Sequence, residues 1–138
     1  MTYATTTFGP ILWIAGHLFA ANYSENSEPD KREFTLDHFN RTFAKSLPCS
    51  WCRFYYLEIC QLMPLEAFID NPDGVSWWFY NVHDLVNKKI QFRERLCMER
   101  CVCTEKHCRY DIKTTKSSPP FKEVLALYNG AKMTKPLP

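Results

Sequence analysis

The chain has 138 residues, a net charge of +2, 15% aromatic residues and seven cysteines. That length suits one domain burying roughly two-thirds of the surface its unfolded form exposes, so no bridge is required merely to fold. Charge this mild and scattered excludes a basic nucleic-acid footprint, and the apolar run at residues 11–21 is too short to span a bilayer and lacks the flanks of a signal peptide.

Apolar residues recur at steps of three and four nearly throughout, with no alternating strand run, which predicts an all-α chain. The first helix is expected over residues 7–23, with Phe8, Ile11, Leu12, Ala15, Leu18 and Phe19 inward. The polar run 24–31 ends it. A second helix follows with Leu36, Phe39, Phe43 and Leu47 at the same spacing. A third begins near Pro48, a residue suited to a first helical turn, and stops before Pro64. Asn71-Pro72-Asp73-Gly74 is a strong turn signal, after which Ser76 is expected to cap a fourth helix with Phe79, Val82, Val86 and Ile90 inward. These four helices surround one core. Beyond them the chain divides into residues 1–96 and a cysteine-rich tail, 97–138. The tail's late helix is capped by Ser117 or Ser118, opened by Pro119 and Pro120, striped with Phe121, Val124, Leu125 and Tyr128, and stopped at Gly130.

Many cysteines without an export signal direct attention to redox or metal chemistry. In Pro48-Cys49-Ser50-Trp51-Cys52 the first sulfur falls at the start of a helix, where unpaired backbone N–H groups and the helix dipole favour a thiolate. Cys49 is therefore expected to be the more reactive. By spacing alone the pair reads as redox-active, as half of a zinc site or as a structural bridge. Zinc needs further ligands, and Cys97, Cys101, Cys103, His107 and Cys108 are the candidates, at irregular spacing. A zinc-binding interaction module built on Cys49, Cys52 and the tail cysteines is thus the alternative reading. A thioredoxin-like fold is disfavoured because helices, not a βαβ unit, flank the motif.

A dithiol that turns over needs an electron acceptor such as a flavin lying against one sulfur. Two segments are suited to hold one. On the first helix Gly9, Trp13 and His17 recur every four residues and Tyr23 follows, placing a ring and an imidazole on one side. On the fourth, Trp78, His83, Asn87 and Lys89 offer a ring, hydrogen-bonding groups and a cation suited to phosphate. Each of these also has an ordinary reading as packing or solvated surface.

The order Gly9-x3-Trp13-x3-His17 with Tyr23, then Phe39, Phe43 and Pro48-Cys49-x2-Cys52, then Trp78-x4-His83-Asp84-x2-Asn87-x-Lys89 resembles the FAD-linked sulfhydryl oxidases of the Erv/ALR family. The resemblance implies a four-helix bundle that holds FAD at one end and dimerises. It implies that Gly9, Trp13, His17, Tyr23, His83, Asn87 and Lys89 line the cofactor, that Cys52 faces the isoalloxazine and that Cys49 forms the mixed disulfide with an incoming thiol. No metal ligand set belongs to that reading. Arg53, directly after the pair, is expected either to favour thiolates or to be an ordinary exposed arginine.

The implied activity is disulfide formation in thiol-containing protein substrates, with oxygen as the acceptor giving hydrogen peroxide. Cys101 and Cys103 form a candidate shuttle pair, and a thioredoxin-like relay protein is a candidate partner; neither nucleic acid nor a membrane is expected. Two departures stand out. Asp84 is an acceptor where the family usually has Asn, and Tyr80 stands where many members begin a disulfide that ties the fourth helix. The short chain without a targeting sequence resembles the small viral members, which work in the host cytoplasm.

Overall fold

The computed structural model describes residues 9–24, 27–47, 49–100 and 118–129, with side chains described for all of these but 9–10 and 93–100. Helix α1 is Gly9–Ala21, α2 Pro29–Asp37, α3 Phe43–Ser46, α4 Ser50–Leu62, α5 Gly74–Arg100 and α6 Phe121–Asn129. A π-helical turn, His38–Thr42, joins α2 to α3, and a 3₁₀ turn, Leu65–Ala67, lies between α4 and α5. Among the described residues there is no strand, as the periodicity predicts, and no helix is long and apolar enough to cross a membrane.

Helix α1 is apolar on more than one side, and this defeats the expectation for its inward face. The buried residues are Trp13, Gly16, His17, Ala20 and Ala21, whereas Ile11 and Ile14 are 61% and 49% exposed. Gly16 explains the choice. A Cβ built there would lie 2.3 Å from Phe79 Cζ and 3.0 Å from Phe43 Cε2, so the side with the smallest residue is the one that accepts the aromatic core closely. The outer side is left with Ile11, Ile14 and Ala15.

Phe39, Phe43 and Leu47 are buried as expected, and Leu36 is partly buried. The π turn lets them stay in register: Phe43 N–H bonds back to the His38 carbonyl, five residues earlier, which widens one turn without breaking the helix. The junction before α5 is built by the turn signal. Asp73 takes φ 52, Gly74 N–H bonds to the Asn71 carbonyl at 2.9 Å, and Trp77 N–H bonds to the Asp73 carbonyl at 2.9 Å. Glycine is required at 74, since a Cβ would sit 1.8 Å from the Phe68 carbonyl oxygen. The helix consequently begins ahead of Ser76, which lies inside it rather than capping it, and it continues through position 97 to Arg100.

The core is aromatic. Phe39, Tyr56, Trp78, Phe79, Val82 and Val86 are fully enclosed, with Ile90 packed at their margin. Polar atoms carried inward find partners: Tyr56 Oη donates to the Phe39 carbonyl at 2.6 Å and Trp78 Nε1 to the Met63 carbonyl at 2.7 Å. An unmet buried carbonyl would cost about 1–3 kcal/mol, so each bond also fixes a helix-to-helix register.

Helix α6 packs against α1 and α5, with Phe121, Val124, Leu125 and Tyr128 half-buried on the expected stripe. Its start differs from expectation. The prolines precede the helix, Val124 N–H bonding to the Pro120 carbonyl at 3.2 Å, and the Ser118 hydroxyl donates to Asp84 at 2.6 Å instead of capping. Ser117 and Gly130 lie outside the described residues, as do Thr7, Phe8 and Pro48.

Candidate active site

Cys49 is the residue at which the chain turns from extended backbone into α4, φ −87 and ψ 119, and its Sγ accepts the Cys52 backbone N–H at 3.3 Å. The sulfur thus occupies an N-cap position, in the field of the first-turn amides. Cys49 is half-buried and Cys52 buried. The Cys52 thiol is pushed far up, first by its hydrogen bond to Cys49 and then by burial. In the reduced pair the proton therefore stays on the inner sulfur, and that bond stabilises a thiolate on the outer one. Arg53 turns back to the chain before the pair: Nη2 donates to the Leu47 carbonyl at 2.9 Å, closing the backbone of the turn that presents Cys49.

Cys52 shares the buried face of α4 with Tyr56, one turn on. The Tyr56 ring packs 6.4 Å from Trp13, and Trp13 stacks on His83 with centroids 4.0 Å apart and planes 4° from parallel. His17 Nε2 lies 2.9 Å from His83 Nδ1, and the His17 ring meets Phe79 edge-on at 4.8 Å. A continuous ring system therefore runs from the turn above Cys52 across the interior to the face between α1 and α5.

Burial drives His17 down to about 4. His83 is driven to about 3, by burial first and then by the proximity of His17, against the pull of Asp84. Both imidazoles are accordingly neutral near pH 7: flat surfaces that share one hydrogen and leave His17 Nδ1 and His83 Nε2 outside the shared bond.

The expected site residues do not all gather at this cluster. Trp13, His17 and His83 are in mutual contact. Gly9 opens α1, and Asn87 follows His83 by one turn of α5, half-buried. Tyr23 is buried beyond the end of α1, beside Arg32 and Asp70, which pair through two bonds of 3.0 and 3.1 Å. Lys89 reaches Glu58 at 3.2 Å and lies 5.5 Å from the Tyr55 ring centre, joining α5 to α4. Asp84 holds Lys88 at 2.8 Å and Ser118 at 2.6 Å.

Cys60 is half-buried, bonded to Tyr56 and pushed by burial to about 11, which suits an inert thiol. Cys101, Cys103, His107 and Cys108 lie outside the described residues, as does the Cys97 side chain. The shuttle pair and the tail ligands of the zinc reading fall there.

Two contributors have no signature in the sequence. Tyr56 has only its aromatic character to signal that it bridges Cys52 to Trp13. Tyr128, expected merely as part of a packing stripe, stacks on His17 with centroids 5.0 Å apart and planes at 12°.

A flat group with polar edges suits this donor set: parallel aromatic faces, two neutral imidazoles, a half-buried amide at Asn87, and a buried thiol one helical turn from the ring system.

Comparison with known proteins gives a consistent picture. A family model described as Erv1 / Alr family matches residues 10–108. The FAD-linked sulfhydryl oxidase of African swine fever virus, from a Kenyan pig isolate, is 30% identical over 84 residues, covering 60% of this chain and 67% of that protein. The protein of the same name from a Malawian tick isolate is 28% identical over 83 residues, with the same coverage. No solved structure matches the chain.

Proposed function

This chain belongs to the Erv1/Alr family, and we propose that it is an FAD-dependent thiol oxidase that forms disulfides in protein substrates and passes the electrons to oxygen, giving hydrogen peroxide. One observation carries the reading: the CxxC pair at the start of α4 sets its inner sulfur, Cys52, on the buried face that continues through Tyr56 to Trp13, His83 and His17. Sulfur and ring site share one interior.

The resting form in this reading carries a Cys49–Cys52 disulfide. A substrate thiolate attacks Cys49, the more accessible sulfur; a substrate–Cys49 bond forms and Cys52 leaves as a thiolate that takes up one of the protons released by the substrate thiols. A second substrate thiol, as thiolate, attacks the mixed disulfide, so that the substrate departs with its own disulfide and Cys49 is released. Cys49 leaves readily, because the first-turn amides and a proton on Cys52 both favour its anion. Two electrons now rest on the pair. FAD, when bound, supplies the two-electron acceptor and the path to oxygen. Trp13, His17, His83, Asn87 and Lys89 hold it in this reading, with Gly9 and Tyr23 at the ends of the first helix, and the surrounding aromatic core excludes water.

The fold proposed with this activity is the four-helix bundle of the family, holding FAD at one end. Residues 1–96 form the oxidase unit and 97–138 a cysteine-rich tail with its own helix. Cys101 and Cys103 relay electrons between substrate and the CxxC, with a thioredoxin-like protein as a further partner. The protein acts as a homodimer in a host cytoplasm, in the manner of a viral enzyme. The apolar outer side of α1, with Ile11 and Ile14 exposed, supports a partner subunit there.

The test combines two measurements. Purified protein is expected to be yellow, and its oxygen consumption with dithiothreitol to vanish in Cys49→Ser and in Cys52→Ser while the flavin spectrum persists. Colourless protein that takes up no FAD, or turnover surviving either substitution, refutes the proposal.

A further inference from the structure

Asp84 sits immediately after His83, yet both of its oxygens are engaged away from the ring cluster. Oδ1 accepts the Ser118 hydroxyl at 2.6 Å and Oδ2 pairs with Lys88 at 2.8 Å. One turn earlier on α5, the Tyr80 hydroxyl donates to the Pro119 carbonyl. Tyr80 and Asp84 therefore grip consecutive residues of the segment that leads into α6. Aromatic contacts extend the grip: Phe121 packs edge-on to Trp77 at 5.0 Å and against Tyr80 at 5.3 Å. Two turns further along α6, Tyr128 lies against His17. The next residue, Asn129, has a buried Oδ1 without a hydrogen-bond partner among the described residues. A buried acceptor left unmet costs about 1–3 kcal/mol, so it marks a place suited to a donor on a bound group.

We propose that Tyr80 and Asp84 are positioning residues that strap α6 across the α1–α5 face, so that Tyr128 and Asn129 wall the cofactor site at His17. The inference rests on the thiol-oxidase reading for the identity of the cofactor and goes beyond it by adding a wall to the site. Asp84 acts through Ser118, not by touching the cofactor. Its carboxylate, opposed by burial but held charged by the bonds from Lys88 and Ser118, is a stronger acceptor for a serine hydroxyl than a neutral amide would be.

The experiment uses the full chain with two readouts. Amide hydrogen exchange over residues 121–129 is measured without cofactor, and FAD affinity by quenching of flavin fluorescence. Ser118→Ala, Asp84→Ala and Tyr80→Phe are each expected to raise α6 exchange and weaken FAD by roughly tenfold. The Asp84→Ala/Ser118→Ala double variant should be no worse than Asp84→Ala alone, which already loses both the Ser118 bond and the Lys88 pair. Tyr128→Leu is expected to weaken FAD with α6 exchange near wild type, which separates the wall from the strap. FAD affinity unchanged in Ser118→Ala while α6 loosens overturns the proposal. So does weaker FAD binding in Asp84→Ala with α6 as protected as in wild type, the signature of direct contact. A wild-type protein that takes up no FAD sinks the oxidase reading, and this inference with it, while the exchange data still report whether the strap exists.

Discussion

Replacing Gly16 with alanine tests how closely α1 must approach the aromatic core. The added methyl would stand 2.3 and 2.7 Å from Phe79 Cζ and Cε2, well inside van der Waals contact. A ring edge normally yields, but this ring is fully buried and hemmed in by Trp13 at 5.5 Å, His17 at 4.8 Å, Phe39 at 5.0 Å and Phe43 at 5.2 Å. Retreat displaces one of those neighbours, and overpacking of this kind costs about 1–3 kcal/mol. Alanine returns about 0.5–1 kcal/mol through its better helix propensity. The balance is a loss of up to about 2.5 kcal/mol, centred on about 1 kcal/mol, which at that centre is a drop in melting temperature of about 3–4 °C for a chain of this size. Thermal unfolding followed by far-UV circular dichroism, with FAD release recorded in parallel, measures both stability and site. A melting temperature equal to or above wild type would refute the packing argument, because it would mean that α1 stands off from Phe79.

Stability should also depend on acid through the two histidines. Their imidazoles titrate near 6.5 when unfolded but near 4 for His17 and 3 for His83 when folded. The unfolded chain therefore binds protons that the folded one refuses, and stability falls as pH drops through that window. Urea unfolding at pH 7 and pH 5 should differ by roughly 2–4 kcal/mol, since each imidazole loses up to about 1.4 kcal/mol for every pH unit below its unfolded value; no change between the two contradicts the buried, neutral pair. For the tail, Cys101→Ser is expected to slow oxidation of a reduced protein several-fold while leaving dithiothreitol oxidation near wild type. Equal loss with both substrates removes the shuttle.

Helix existence was legible because periodicity is a local property. Phe79, Val82 and Val86 point inward as their spacing requires. Orientation was less so where a helix offers two apolar sides. In α1 the choice fell to the glycine that permits close approach, and no count of apolar residues distinguishes Gly16 from filler. The site divides in the same way. Trp13, His17 and His83 were visible because a repeat of four and a motif order placed them on facing helices. Tyr128 was not, since its role depends on where α6 docks, and that is set by two long-range bonds, Tyr80 to the Pro119 carbonyl and Ser118 to Asp84. Contacts of that kind leave no periodic trace. Position 84 illustrates the difference: beside His83 it reads as part of a cofactor motif, and in three dimensions it is an anchor.

That anchor bears on the cysteines that precede it. Helix α5 ends at Arg100 and Ser118 is pinned to Asp84 on the same helix, so whatever path residues 101–117 take begins and ends on a single rod. Cys101, Cys103 and Cys108 are carried on it, within a radius fixed by chain length at roughly 3.3–3.6 Å per residue. Sulfurs leashed to the chain that carries their target meet that target intramolecularly, which for short linkers corresponds to an effective concentration on the order of millimolar. Whatever chemistry they perform is thereby biased toward neighbours within reach, and free thiols in the surroundings must compete against that leash.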